Sequence, residues 1–132
     1  DRAADAEMAR AIAVNAKLRR TGVCGATETI LIDRAYPRPQ EIVRALLDAG
    51  CEVRGDAGAV RLDTRIVSAT PIDWDTEYLD AIVAVALVDG VEGAIAHIDA
   101  HSSRHTETIV TADPAAAERF LSGVDSAIVL WN

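Results

Sequence analysis

The sequence predicts an α/β domain built on a mostly parallel sheet with helices on both faces. Three observations carry this. Residues 81–88, AIVAVALV, form an unbroken apolar run, the pattern of a central strand buried on both sides. Apolar residues at helical spacing alternate along the chain with short β-rich runs, in the order α-β-α-β-loop-β-α-β-α-β. Gly, Pro and Asp punctuate the joints where helices would start and stop.

The elements follow in order. Met8, Ala11, Ile12 and Leu18 recur near a helical period, so residues 3–18 read as a helix that Gly22 ends. Thr29 to Ile32 is a short strand. Pro37 opens a second helix, with Ile42, Val43, Leu46 and Leu47 on one face and Gly50 as its C-cap. Cys51 to Val53 is a strand, and Gly55 to Arg65 is loop with room for one helical turn. The polar stretch Asp73 to Glu77 leads into the central strand. Val91 to Ile98 is a helix, Thr108 to Thr111 a strand, Pro114 to Leu121 a helix and Ala127 to Leu130 a last strand. Asp113 is placed to N-cap the helix whose first residue is Pro114. Asp1 opens straight into a helix, and Trp131-Asn132 follows a strand without a polar tail. The chain therefore reads as one domain, 1–132, cut from a longer protein.

Composition narrows the function. The net charge is −8, which argues against nucleic acid, because such binders need a basic stripe to displace counterions. Aromatics make up 4% of the chain, so the core must be Ala, Val, Ile and Leu. No apolar stretch approaches the roughly 18–20 residues needed to span a bilayer, and the N-terminus lacks a signal-peptide pattern. The 2 cysteines form no disulfide framework and suggest a cytoplasmic chain with free thiols. The 3 histidines and 2 cysteines show no metal-ligand spacing, so no metal is expected.

The two thiols differ in setting. Cys24 lies in a glycine-bracketed turn, Gly22-Val23-Cys24-Gly25, directly ahead of Ile30-Leu31-Ile32. A thiol presented from a small-residue turn suits nucleophilic chemistry, whereas a structural cysteine is a small buried hydrophobe. Backbone N–H groups of Cys24 and Gly25 are candidates for an oxyanion hole. Cys51, at a helix-to-strand junction among apolar residues, reads as core. Lys17, Arg19 and Arg20 form the only basic cluster. They either complement a helix C-terminus or set a positive field for the thiol and an anionic substrate.

Six ordered blocks extend the reading. Asn15-Ala16-Lys17, Arg20-Thr21-Gly22-Val23-Cys24 and Glu28-Thr29 come first. Gly55-Asp56, then Asp73-Trp74-Asp75-Thr76-Glu77-Tyr78-Leu79-Asp80 follow. Next are Glu92 with Ala94-Ile95-Ala96-His97-Ile98, and His105-Thr106-Glu107 with Ile109-Val110-Thr111. The last is Ala115-Ala116-Ala117-Glu118-Arg119-Phe120-Leu121 with Val124-Asp125-Ser126-Ala127. In these blocks the chain resembles the gamma-glutamyl phosphate reductase family of the aldehyde dehydrogenase superfamily. His101-Ser102 stands where that family usually has Tyr-Gly, Ala86 where a lysine is common, and Gly25 where Asn often occurs.

The resemblance implies an aldehyde dehydrogenase-like catalytic domain. It implies NADPH-dependent reduction of L-glutamyl 5-phosphate to L-glutamate 5-semialdehyde through a cysteine thioester, in proline biosynthesis. Cys24 would be the nucleophile. Glu77 would bind the nicotinamide ribose, and Leu79 would pack near the nicotinamide. Gly25, Lys17 and His105 are the substrate or oxyanion candidates, with a structural role for His105 left open. NADPH would be held mainly by a domain outside this chain. The whole protein would be a homo-oligomer acting on a small molecule, with no nucleic acid or membrane partner, and this piece alone could be a monomer. A non-catalytic α/β binding module on the same scaffold is the alternative. If the reading holds, Cys24 faces a cleft at the sheet edge where strands end, with Glu77 partly exposed on the same side.

Overall fold

The computed structural model describes all 132 residues. It contains helices α1 (Ala6–Leu18), α2 (Pro39–Asp48), α3 (Gly90–His101) and α4 (Pro114–Gly123). The strands are β1 (Thr29–Asp33), β2 (Glu52–Gly55), β3 (Val67–Ser68), β4 (Ile82–Val88), β5 (Thr106–Ile109) and β6 (Ile128–Trp131). Short 3-10 turns lie at Ala59–Arg61 and Pro71–Asp75.

Every strand pair is parallel. The expected sheet is divided in two: a four-stranded sheet in the order β1-β4-β2-β3, and a separate pair, β5-β6. β4 is central, paired with β1 from Thr29↔Ala84 to Asp33↔Val88 and with β2 from Glu52↔Ile82 to Gly55↔Val85. Its two faces bury different residues. Val83 and Val85 meet the cluster formed with Ile32, Val43, Leu46 and Val53, while Ala84 and Ala86 turn the other way. α1 and α2 pack on each other, and α2 on β2; α3 lies against β1 and β4. Ile95, Ile109, Phe120 and Val124 form a second small core between α3, α4 and the β5-β6 pair. Helices thus cover the sheet on both faces, as expected.

The helix ends have local causes. Asp5 N-caps α1 by accepting from Met8 N–H, and Asp113 N-caps α4 by accepting from Ala115 N–H. α2 begins at Pro39, not at Pro37: Arg38 takes the N-cap with non-helical backbone angles (φ −134°, ψ 48°), so the second proline occupies the first turn. Gly50 follows α2 at φ +87°, the left-handed conformation that ends helices cheaply only with glycine. Strand β3, two exposed residues long, has no signature in the sequence. No helix is long and apolar enough to cross a membrane.

Candidate functional site

A groove of about 530 Å³ runs beside β1 and β5. Each of these strands has one paired neighbour, β4 and β6 respectively, and so keeps an unpaired edge. Ile30, Leu31 and Ile32 line one side, and Thr106, Thr108 and Ile109 line the other. Cys24, Gly25, Glu28, Glu77, His101 and His105 are among its polar and small lining residues.

Cys24 is exposed in the turn between α1 and β1. The turn is fastened around it by Val23 N–H to Arg20 O (3.4 Å), Ala26 N–H to Val23 O (3.0 Å) and Thr27 N–H to Ala16 O (3.1 Å). The N–H groups of Cys24 and Gly25 make no backbone hydrogen bond, and the space beside the Gly25 Cα is open. Two donors beside an exposed thiol can receive a developing oxyanion. Cys51 differs: it is buried, and burial pushes its thiol up to about 11. The thiol faces a cleft as expected, but at the opposite end of the strands. Cys24 leads into β1, so it sits at the amino ends of the parallel strands. The rule that open α/β sheets bind ligands at carboxyl ends does not apply here, because the helix-to-strand connection carries the thiol.

Glu77 lies on the same side, in the segment that enters β4, and lines the same groove. Its carboxylate is exposed and takes part in no ion pair. Leu79 is outside the groove lining, 54% exposed and at φ +55°. A branched-chain residue in the left-handed region is strained, and such strain persists only where neighbours impose it.

The basic cluster divides. Arg19 and Arg20 are exposed, whereas Lys17 is fully buried. Its Nζ lies 2.8 Å from Glu28 Oε2. The ammonium expected to meet a substrate anion is therefore committed to an internal carboxylate. Glu28 Oε2 also accepts from Tyr78 N–H at 3.2 Å. The Tyr78 ring stands under Lys17 Nζ (5.9 Å) and the Arg54 guanidinium (5.1 Å), and its hydroxyl donates to Asp73 Oδ1 at 2.7 Å. Asp73 further accepts from Arg54 Nη1 at 2.8 Å and from Thr70 N–H at 2.7 Å. The Arg54 guanidinium beside Asp73 holds its carboxyl well below the usual carboxylate range. None of Glu28, Tyr78, Asp73 or Arg54 was singled out as a site residue from sequence. The Thr70-x-x-Asp73 spacing of a capping box was the available signal.

His105 lines the groove, and its Nδ1 is 2.6 Å from Thr106 Oγ1. His101 Nδ1 is 2.9 Å from Asp75 Oδ1. His97, edge-on to Trp74, has a buried Nε2 with no partner, and burial lowers its proton affinity. Burial raises the Glu107 carboxyl, which accepts from Ser102 Oγ.

No family model matches the chain. Individual relatives do. A gamma-glutamyl phosphate reductase from Sphingopyxis alaskensis is 67% identical over 132 residues, which is 100% of this chain and 31% of the relative. Along its whole length, the chain is related to the gamma-glutamyl phosphate reductases. It spans about 31% of the length of such relatives. The crystal structure of the Thermotoga maritima gamma-glutamyl phosphate reductase superposes with a TM-score of 0.93 at 38% identity, covering 99% of this chain and 32% of that one. The Staphylococcus aureus betaine aldehyde dehydrogenase, solved with NAD+, superposes at 0.73 with 14% identity over 98% of this chain and 35% of that one. The fold is therefore that of the aldehyde dehydrogenases, and the gamma-glutamyl phosphate reductase resemblance read from the sequence holds.

Proposed function

We propose that this chain is the nucleophile-bearing segment of an NADPH-dependent reductase that converts L-glutamyl 5-phosphate to L-glutamate 5-semialdehyde in proline biosynthesis. The observation that carries the reading is that an exposed thiol, Cys24, and an unpaired carboxylate, Glu77, line one groove. Similarity to the named reductases over the whole chain supports it.

The Cys24 thiolate attacks the acyl carbon of the substrate. A carbon–sulfur bond forms, the carbon–oxygen bond to phosphate breaks, and phosphate leaves with the electron pair. Cysteine suits this step because it is the most nucleophilic side chain near neutral pH. The Cys24 and Gly25 N–H groups stabilise the oxyanion that develops on the acyl oxygen. Glu77 would accept the ribose hydroxyls of NADPH, and its exposure and lack of an ionic partner fit that task. When bound, NADPH supplies the hydride that reduces the thioester and frees the Cys24 thiolate.

Glu77 offers at most two hydrogen bonds, each worth roughly 0.5–3 kcal/mol, against an association cost of about 4–15 kcal/mol. The other dinucleotide contacts belong to a domain outside this chain. The 132-residue chain should accordingly oxidise NADPH negligibly with glutamyl phosphate, while the full-length protein, a cytoplasmic homo-oligomer in this reading, turns over. The decisive experiment is Cys24→Ser in the full-length protein. Loss of turnover together with loss of a trapped acyl adduct is expected; retained turnover sinks the proposal.

A further inference from the structure

We propose that Glu28 is a positioning residue that ties the nucleophile turn to the segment bearing Glu77, with Lys17 holding it in place; this rests on the reductase reading above. Glu28 lies between the Cys24 turn and β1 and lines the groove. One carboxylate oxygen, Oε2, takes both the Lys17 ammonium at 2.8 Å and the Tyr78 N–H at 3.2 Å. The second contact spans 50 positions of sequence and grips the residue immediately after Glu77. The Glu28 carbonyl also accepts from Ala84 N–H of β4 at 2.9 Å. Glu28 thus binds the β4 approach at two points.

Burying an ion pair is costly, and an apolar pair of the same volume often serves stability as well. The Lys17 side chain is 0% exposed and that of Glu28 18%, so the pair needs a further reason. The backbone beyond it supplies one. Leu79, two residues past Glu77, is held at φ +55°, a conformation that persists only when the surroundings over-determine it. Tyr78, between them, is fixed at both ends: its N–H by Glu28, its hydroxyl by Asp73. Lys17 holds Glu28 in place, Glu28 fixes Tyr78, and the neighbouring Glu77 lines the same groove as Cys24.

The test uses the full-length reductase. Glu28→Gln should raise the KM for NADPH about tenfold, the scale of one charge-assisted hydrogen bond. The rate of Cys24 alkylation without cofactor should stay within about twofold. Glu28→Asp, which keeps the charge but withdraws the carboxylate by one methylene, should act in the same direction if the amide variant fails to fold. Lys17→Arg should restore a near-normal KM where Lys17→Met does not. In a Glu77→Gln background, Glu28→Gln should add nothing to the cofactor KM, because it acts through Glu77. Additive effects in that cycle, or an unchanged NADPH KM in folded Glu28→Asp, would overturn the proposal. If Glu77→Gln alone leaves the NADPH KM unchanged, the cofactor reading of Glu77 fails, which is a separate result.

Discussion

Alkylation of the two thiols should differ by orders of magnitude, for reasons that can be worked from their surroundings. Cys51 is 3% exposed, and burial lifts its thiol from an ordinary value of 9.0 to about 11. Near pH 8, about 0.1% of it is thiolate in the folded chain, against about 10% once unfolding restores the ordinary value. The two-unit difference is about 100-fold in reactive species, and the closed packing around Cys51 adds to it, since reagent must wait for opening. Cys24 is already exposed. Iodoacetamide labelling followed by peptide mass spectrometry, in buffer and in concentrated urea, should show Cys51 accelerating by at least about 100-fold and Cys24 changing little. Equal slow labelling of both thiols in buffer would refute the assignment of Cys24 as the presented nucleophile. The same shift has a sign in stability. The fold favours the protonated thiol, so this contribution is complete below pH 9 and is lost as pH rises toward 11. It amounts to about 2–3 kcal/mol, and Cys51→Ala should remove that alkaline slope from urea-denaturation midpoints.

Asp73→Asn should destabilise the chain by about 1–3 kcal/mol, because a buried carboxylate accepting from Arg54, Thr70 and Tyr78 loses its charge. The Asp73 carboxyl is lowered in the fold, so its stabilisation is present above the ordinary carboxylate range and fades as pH falls through it; the variant should show a shallower acid loss in urea melts. Leu46→Ala removes a side chain with 0% exposure from the cluster between α2 and the sheet, and calorimetry should read a loss of about 2–5 kcal/mol. At Gly55 an added Cβ would lie 2.8 Å from Ile66 Cγ2 and 2.9 Å from Ala59 Cβ. Gly55→Ala should therefore cost about 1–3 kcal/mol through overpacking, visible as a lower Tm.

Local patterns were legible where one element contains its own cause. The run Ala81 to Val88 announces a buried strand, and β4 is the strand with partners on both sides. Asp113-Pro114 announces a helix start, and α4 begins there. Boundaries slipped where pairing decides them. β5 starts at Thr106, not Thr108, because Thr106 already pairs with Ile128 of β6. The division of the sheet is a matter of which strands meet, which no window of sequence periodicity contains. The site divides in the same way. Cys24 is visible because its glycine-flanked turn is contiguous. Lys17 was seen only as one charge in a basic run, since its partner Glu28 is 11 residues away and Tyr78 50 beyond that partner.

The two separate cores have a consequence for motion. The large cluster of 13 buried residues supports β1, β2 and β4, while 4 buried residues hold α3, α4 and the β5-β6 pair together. No strand pairing joins the two sheets. Amide protons of β4 should exchange with solvent only through global unfolding, whereas those of β5 escape through opening of the smaller lobe alone. The β1 side of the groove therefore rests on the larger core and the β5 side on the smaller one. Opening of the smaller lobe should thus alter the β5 side of the groove while β1 and β4 stay paired.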